Sequence, residues 1–428
     1  MAGLNNYYGL NTTLSPIQIA SYTNNVSTLA RVQAKINSNQ FIFNHEVSPK
    51  YSITDQKSSG RCWIFATLNT IRVVAAKHLD VEPKDLEFSE TYLYFWDKLE
   101  RYHRNLRYYL KLKTVTFDPT PYKLHLYKNA MSDGGQWDMA KEIIVKYGIV
   151  PKYLMPDSLH SKSSVHMNNF LMKMIRNDFH TLDNTPSNLI EQTIKKMTDN
   201  VYNLLVGFLG LPPTNFSWTY AINKGVQTIE NLTPHSLLGL TKFIPDEWIS
   251  VVNDPRNPYN KYYQVEYLGN VFDNHVGWTN LPINRLKELA KSSIDSNLPV
   301  WFGCDVGTER DKESGIMDLG IFDYKTIYGV DFNLTKEQKL MSYSSLPSHA
   351  MVIVGYHEES NKITRWKIEN SWGKSAGSEG YLLMTTDWFS EYVYQIVVHK
   401  SLLNEEELAI GSSVYKFISP WDPLGTLA

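Results

Sequence analysis

The chain has 428 residues, 43% of them hydrophobic, with 42 Lys and Arg against 44 Asp and Glu for a net charge of -2. That is apolar material for one large two-lobed body or for two or three domains, and it excludes an intrinsically disordered chain. The near-neutral balance excludes a global attraction to nucleic acid or to acidic membranes, and having only two cysteines, Cys62 and Cys304, excludes a disulfide framework.

The opening stretch MAGLNNYYGLNTTLSPIQ lacks a basic segment followed by an apolar core, and no later run approaches the roughly 18 apolar residues of a membrane span. A soluble protein of a reducing, cytoplasmic compartment is therefore expected. Ser15-Pro16 ahead of IQIASYTNN predicts a capped helix, and the polar stretch 24–50 suits a wrapping arm without chemistry of its own. In residues 56–76, QKSSGRCWIFATLNTIRVVAA, the turn formers Ser58, Ser59 and Gly60 precede apolar residues at helical spacing, Ile64, Leu68, Ile71 and Ala75. Cys62 thus falls in the first turn of a helix. Unpaired N–H groups and the positive end of the helix dipole there favour the thiolate, the form of cysteine that attacks carbonyl carbon. Gln56, a little upstream, offers a side-chain amide that with the N–H of Cys62 can hold an oxyanion.

Residues 88–112 read as an aromatic-rich helix, followed by a proline break at 118–121 and a second helix after Asp133-Gly134-Gly135-Gln136. From there to about residue 260, helical stretches at 139–146, 165–179 and 189–205 alternate with proline-marked turns. Beyond Tyr262 the texture changes to β-branched and aromatic runs, YYQVEYL, PVWFGCDV, HAMVIVGY, TRWKIENSW and GYLLMTTDWF, interrupted by one amphipathic helix at 281–296. His349 opens one of these strands, and Asn370 ends the next. An asparagine so placed can fix one imidazole nitrogen and leave the other to share a proton with Cys62. Cys304 lies in an apolar strand with no basic partner nearby in sequence and reads as structural.

The blocks QKSSGRCWIFA, SHAMVIVGY and ENSWG resemble the three signatures of papain-like cysteine peptidases. Gly60-Arg61-Cys62-Trp63, DGGQW from Asp133, PVWFGCDVG, TDWFSEYVY and the terminal PWDPLGTLA resemble the bleomycin hydrolase and aminopeptidase C branch in particular. The resemblance runs from about residue 50 to the end. Cys62 and His349 lie much further apart than the roughly 130 to 150 residues of papain-type enzymes, and the helical middle is the excess. The fold implied is α+β: a papain-like two-lobed enzyme, helical lobe plus β-sheet lobe, with large helical insertions and a C-terminal arm entering the active-site cleft. The divisions would be an N-terminal arm and nucleophile lobe over 1–150 with a helical hook around 85–130, a helical insertion over 151–260, a β-rich lobe over 261–402 and an arm over 403–428.

By the same resemblance Cys62 is the nucleophile, His349 the general base and acid, Asn370 its orienter and Gln56 the oxyanion donor. Trp372 would shield the Asn370–His349 hydrogen bond, Gly134 and Gly135 would let the substrate backbone pair alongside, and the α-carboxylate of Ala428 would meet the ammonium of the peptide's first residue. The implied activity is thiol aminopeptidase chemistry on peptides with a free N-terminus, with amides of the bleomycin type left open as substrates and no cofactor or metal required. The implied assembly is a homohexamer, for which the aromatic residues between Phe88 and Tyr127 would supply anchors. Two other readings stand beside this one. An endopeptidase would use the same triad, and the segment 98–128, with eight Lys or Arg against two acids and interleaved tyrosines, has the composition of a nucleic-acid contact. Neither a His-Glu-x-x-His motif nor paired-cysteine spacing is present, which argues against a metal enzyme.

Overall fold

The computed structural model describes residues 13–79, 81, 86–222 and 225–426. The helix Cys62–Ala76 runs through the centre and is buried on every side from Cys62 to Ala75. It contains Thr67, Thr70, Ile71, Val73 and Val74, all weak helix formers. Burial of Ile64, Phe65, Leu68 and Ile71, each about 1.5–3 kcal/mol relative to exposure, outweighs those propensities of a few tenths each.

One face of this helix packs on the strand His349–Glu359 of a large sheet. From one edge the sheet runs Lys416–Ile418, Lys261–Val265, Val276–Asn280, Trp248–Val252, Val393–His399, Val300–Cys304, His349–Glu359, Lys362–Glu369, Tyr381–Thr385, Ile316–Met317 and Arg310–Asp311. His45–Glu46, from the N-terminal arm, pairs with the far end of the His349 strand. The other faces of the central helix are covered by the helices Glu90–Lys111, Trp137–Tyr147 and Pro234–Thr241. The expected helices appear as Pro16–Ser21, with a Ser15 capping box, and as Val165–Asp183, Ile190–Leu209 and Ile283–Asp295.

The stretch 151–260 is less helical than its punctuation predicts. Phe216–Ile222 and Gly225–Leu232 form an antiparallel hairpin, and Trp248–Val252 belongs to the main sheet. Alternating burial along Phe216–Ile222, with Phe216, Trp218 and Tyr220 inward, is the period-2 signal that identifies such a strand.

The aromatic segment is also used differently. Phe88, Tyr92, Tyr94, Phe95, Tyr102, Tyr108 and Tyr109 are buried within this chain, so they are core residues rather than anchors for a partner. Of the eight cations in 98–128, Lys98 is fully buried against Asp133, Arg101 pairs with Asp97, Arg104 is buried over the ring of Tyr108, and Arg107 and Lys113 pair with Glu191 and Asp183. Among the described residues, no helix is long and apolar enough to cross a membrane.

Candidate active site

Cys62 is the first residue of its helix, as the turn formers before it predict, and two charged side chains, Asp133 and Arg61, set the approach to it. Asp133 receives the Gly60 amide at 3.2 Å, and the Ser164 hydroxyl, Asn168, Tyr94 and Lys98 converge on the same carboxylate. Burial alone would raise this carboxyl, but Lys98 and the converging donors hold it well below the usual carboxylate range. Gly60 is required here because a Cβ would stand 2.7 Å from the Cβ of Asp133. Arg61, which is fully buried, donates to Ser59 and pairs with Asp157 at 2.9 Å. The loop before the nucleophile is thus fixed by two ion-paired side chains, Arg61 buried and Asp133 partly buried. Sequence reasoning passed over both because their partners lie in other segments.

His349 and Asn370 come together because their strands are antiparallel neighbours, with Val352 opposite Glu369 in the register. The Asn370 Oδ1 accepts from His349 Nε2 at 2.9 Å and from the Ser371 amide at 2.8 Å. Two donors on one oxygen identify it as the acceptor, so His349 carries its proton on Nε2 and presents Nδ1 unprotonated. Trp372 stacks on the imidazole with ring centroids 4.6 Å apart, and covers this pair.

The backbone N–H of Ala350, the residue after His349, lies near enough to the Cys62 thiol to favour its charged form. Its protonation differs from the expectation that the helix terminus favours a thiolate. Burial pushes the thiol up to about 11, against the opposing pull of the N–H groups of Ala350, Trp63 and Cys62. Burial likewise lowers His349 to about 4; the charge of Arg310 adds to this and the Asn370 hydrogen bond opposes it. At neutral pH the resting pair is therefore thiol and neutral imidazole, because removing either charge from water costs more than the local donors return.

Gln56 sits beside them through a short backbone ladder: its N–H donates to Ser371 O at 2.8 Å, and Gly373 N–H donates to Thr54 O. The Ser371 hydroxyl donates to Gln56 Oε1 at 2.7 Å, which fixes the orientation of the amide, and Nε2 donates one proton to Ser59 O. Among the described residues Ser59 O is the one acceptor of Nε2. Gln56→Ala is expected to lower turnover about a hundredfold with KM little changed, as for loss of one oxyanion donor, checked by steady-state kinetics.

The glycine pair divides into two roles. Gly135 is buried, and a Cβ on it would stand 2.4 Å from the Trp63 indole, so packing against the nucleophile helix is enough to demand glycine there. Gly134 is half-buried, and its carbonyl accepts from Arg101 at 3.0 Å. Directly after them, Gln136 Nε2 donates to Leu424 O at 3.0 Å and to Thr426 O at 2.9 Å. On the other side, the Thr426 hydroxyl reaches Pro347 O, two residues before His349. The C-terminal arm therefore runs between the Gln136 loop and the His349 strand. Upstream it is anchored by Asp422 on Arg256 and by Trp421 on Tyr122. The proposed partner of a substrate ammonium, Ala428, lies outside the described residues.

Cys304 is fully buried and directly opposite His349 across the strand pair, closer to the site than its sequence position suggests. Two cavities, of about 600 and 520 Å³, are lined by none of Cys62, His349 and Asn370.

A family model described as the Peptidase C1-like family matches residues 2–425. Aminopeptidase C of Lactococcus lactis subsp. cremoris is 37% identical over 98% of this chain and 96% of its own length. Human bleomycin hydrolase is 36% identical over 95% of this chain and 93% of its own. A crystal structure of PepW from Lactobacillus rhamnosis superposes with a TM-score of 0.91 at 35% identity, covering 96% of this chain and 94% of that one. Whole-length matches of this kind, over a helix-borne cysteine packed on the strand that begins with the histidine of a His–Asn pair, place the chain in the Peptidase C1-like family, within the aminopeptidase C and bleomycin hydrolase branch of papain-like cysteine peptidases.

Proposed function

We propose that this cysteine-type aminopeptidase removes single residues from the free N-terminus of peptides by way of a thioester on Cys62. His349 Nδ1 takes the thiol proton as sulfur attacks the carbonyl carbon, and the resulting oxyanion is held by the Cys62 N–H and the free Nε2 proton of Gln56. The imidazolium passes that proton to the leaving amine as the C–N bond breaks. Water then attacks the thioester with His349 again as base, releasing the amino acid and restoring the thiol. Asn370 holds the tautomer throughout.

The observation that carries the aminopeptidase reading is the arm, held by Gln136 and Pro347 beside the triad as far as Thr426. It fills the part of the cleft that residues before the scissile bond would occupy, so a peptide has space for one residue there. Comparing aminoacyl-coumarin amides with their N-acetylated forms tests this: the free amines are expected to be cleaved at least about a hundredfold faster. Equal rates would favour an endopeptidase. Two free cysteines support a reducing, cytoplasmic setting. A homohexamer remains our proposal from family resemblance, to be tested by light scattering.

The pH profile follows from the burial of His349. As a base it acts only when neutral, so lowering its affinity for protons moves the acid limb downward. The kcat/KM profile is expected to stay flat as pH falls through about 6.5, the ordinary histidine value, and to decline around pH 4. A limb centred at 6.5 would contradict the buried, neutral imidazole.

A further inference from the structure

Arg310 lies on the short hairpin of Arg310–Asp311 and Ile316–Met317 at the edge of the main sheet. Its guanidinium stands 4.7 Å over the ring of Trp372, and Trp372 stacks on His349. Imidazole, indole and guanidinium thus lead away from the reacting pair in sequence. Two of the neighbouring carboxylates are already engaged, since Arg31 is held between Asp311 at 2.9 Å and Glu313 at 3.0 Å. The third, Glu309, makes no ion pair among the described residues, and its Oε2 is buried without a hydrogen-bond partner. Arg310 likewise makes no side-chain hydrogen bond or ion pair among the described residues, and its Nε is buried without a partner. A partly buried guanidinium almost always has an anion or carbonyl partner, because its desolvation is otherwise uncompensated. This one also lines the cavity of about 520 Å³ formed with Asn25, Thr28 and Arg31.

The direction of the substrate places a carboxylate within reach of this cation. The arm occupies the cleft beside Gln136 and Pro347, which leaves the Trp372 side for the departing portion of the peptide. The leaving amine must meet His349 to be protonated, so the residue that carries it passes along Trp372. An extended chain advances about 3.3–3.6 Å per residue, which brings a group one or two residues beyond the scissile bond to the guanidinium. Arg is the side chain whose planar fork matches a carboxylate with two parallel hydrogen bonds.

We propose that Arg310 is a specificity residue of the leaving-group side, binding a carboxylate carried one or two residues beyond the scissile bond. That carboxylate is either the C-terminus of a di- or tripeptide or an acidic side chain at those positions. The assignment rests on the Cys62–His349 reading of the site. It makes the enzyme most efficient on very short peptides, whose far end is a carboxylate in this range.

The test compares kcat/KM for Ala-Ala, Ala-Ala-amide and Ala-Asp-amide in the wild-type protein, Arg310→Gln and Arg310→Lys. In the wild type the free dipeptide is expected to exceed its amide by about 10- to 100-fold, chiefly through KM, as for a hydrogen bond to a charged group. Arg310→Gln should bring that ratio close to one, and Arg310→Lys should restore part of it. Because the readout is a ratio, any general loss of activity from the substitution cancels. Ala-Asp-amide exceeding Ala-Ala-amide only in the proteins carrying Arg or Lys identifies side-chain carboxylates as a second source, and equality restricts the site to the C-terminus. A wild-type ratio near one, or a ratio unchanged in Arg310→Gln, overturns the proposal while leaving the triad intact. Hydrolysis surviving Cys62→Ala would instead remove the reading beneath it.

Discussion

Cys62→Ala is expected to reduce peptide hydrolysis about a millionfold, to the background of uncatalysed cleavage, while the protein stays folded. Alanine removes only the sulfur from the first residue of a helix whose buried apolar side chains are untouched, so circular dichroism and the melting temperature should change little. Cys304 provides the internal control. Both thiols are buried and both are raised by burial, Cys304 well above the usual value, with Asp305 adding to the effect. Only Cys62 stands at a helix start with the Ala350 N–H beside it, and in the proposed mechanism only Cys62 shares a proton with the His349–Asn370 pair. Iodoacetamide followed by peptide mapping should therefore label Cys62 and spare Cys304. Label on Cys304 at a comparable rate, or turnover retained by the alanine variant, would refute the mechanism.

Deleting residues 424–428 is expected to convert an aminopeptidase into an enzyme that accepts blocked peptides. The deletion removes both acceptors of Gln136 Nε2 and the Thr426 contact to Pro347. It keeps the anchors upstream, Asp422 on Arg256 and Trp421 on Tyr122. Cys62, His349 and Asn370 are left in place, so bond cleavage is expected to continue while the space proposed to lie before the scissile bond opens. On the proposed contact between the Ala428 carboxylate and the substrate ammonium, kcat/KM on free N-termini is expected to fall about 10- to 100-fold. N-acetylated peptides should be cleaved internally by the same Cys62, with the sites read by mass spectrometry. A truncated enzyme that still refuses acetylated peptides would mean that selection for the free amine lies elsewhere.

What the sequence determined is what short-range signals carry. Turn formers followed by apolar residues at helical spacing placed Cys62 at a helix start, and β-branched and aromatic runs placed His349 and Asn370 at strand ends. Their residue types in those settings, together with family signatures, were enough to nominate Gln56 as well. The hairpin at 216–232 was missed because proline punctuation was weighed above the period-2 alternation of Phe216, Trp218 and Tyr220. The tertiary structure decided whatever depends on distant partners. Asp133 and Arg61 hold the nucleophile loop through residues from other segments, and Gly135 is glycine because Trp63 lies against it. The aromatic segment 88–109 went to the core rather than to the surface, since periodicity gives the buried face of a helix but not what covers it. The same reason governs the protonation of the site. A helix terminus favours a thiolate locally, but desolvation is set by every element packed around the sulfur, and here it leaves the proton on Cys62 and the imidazole of His349 neutral.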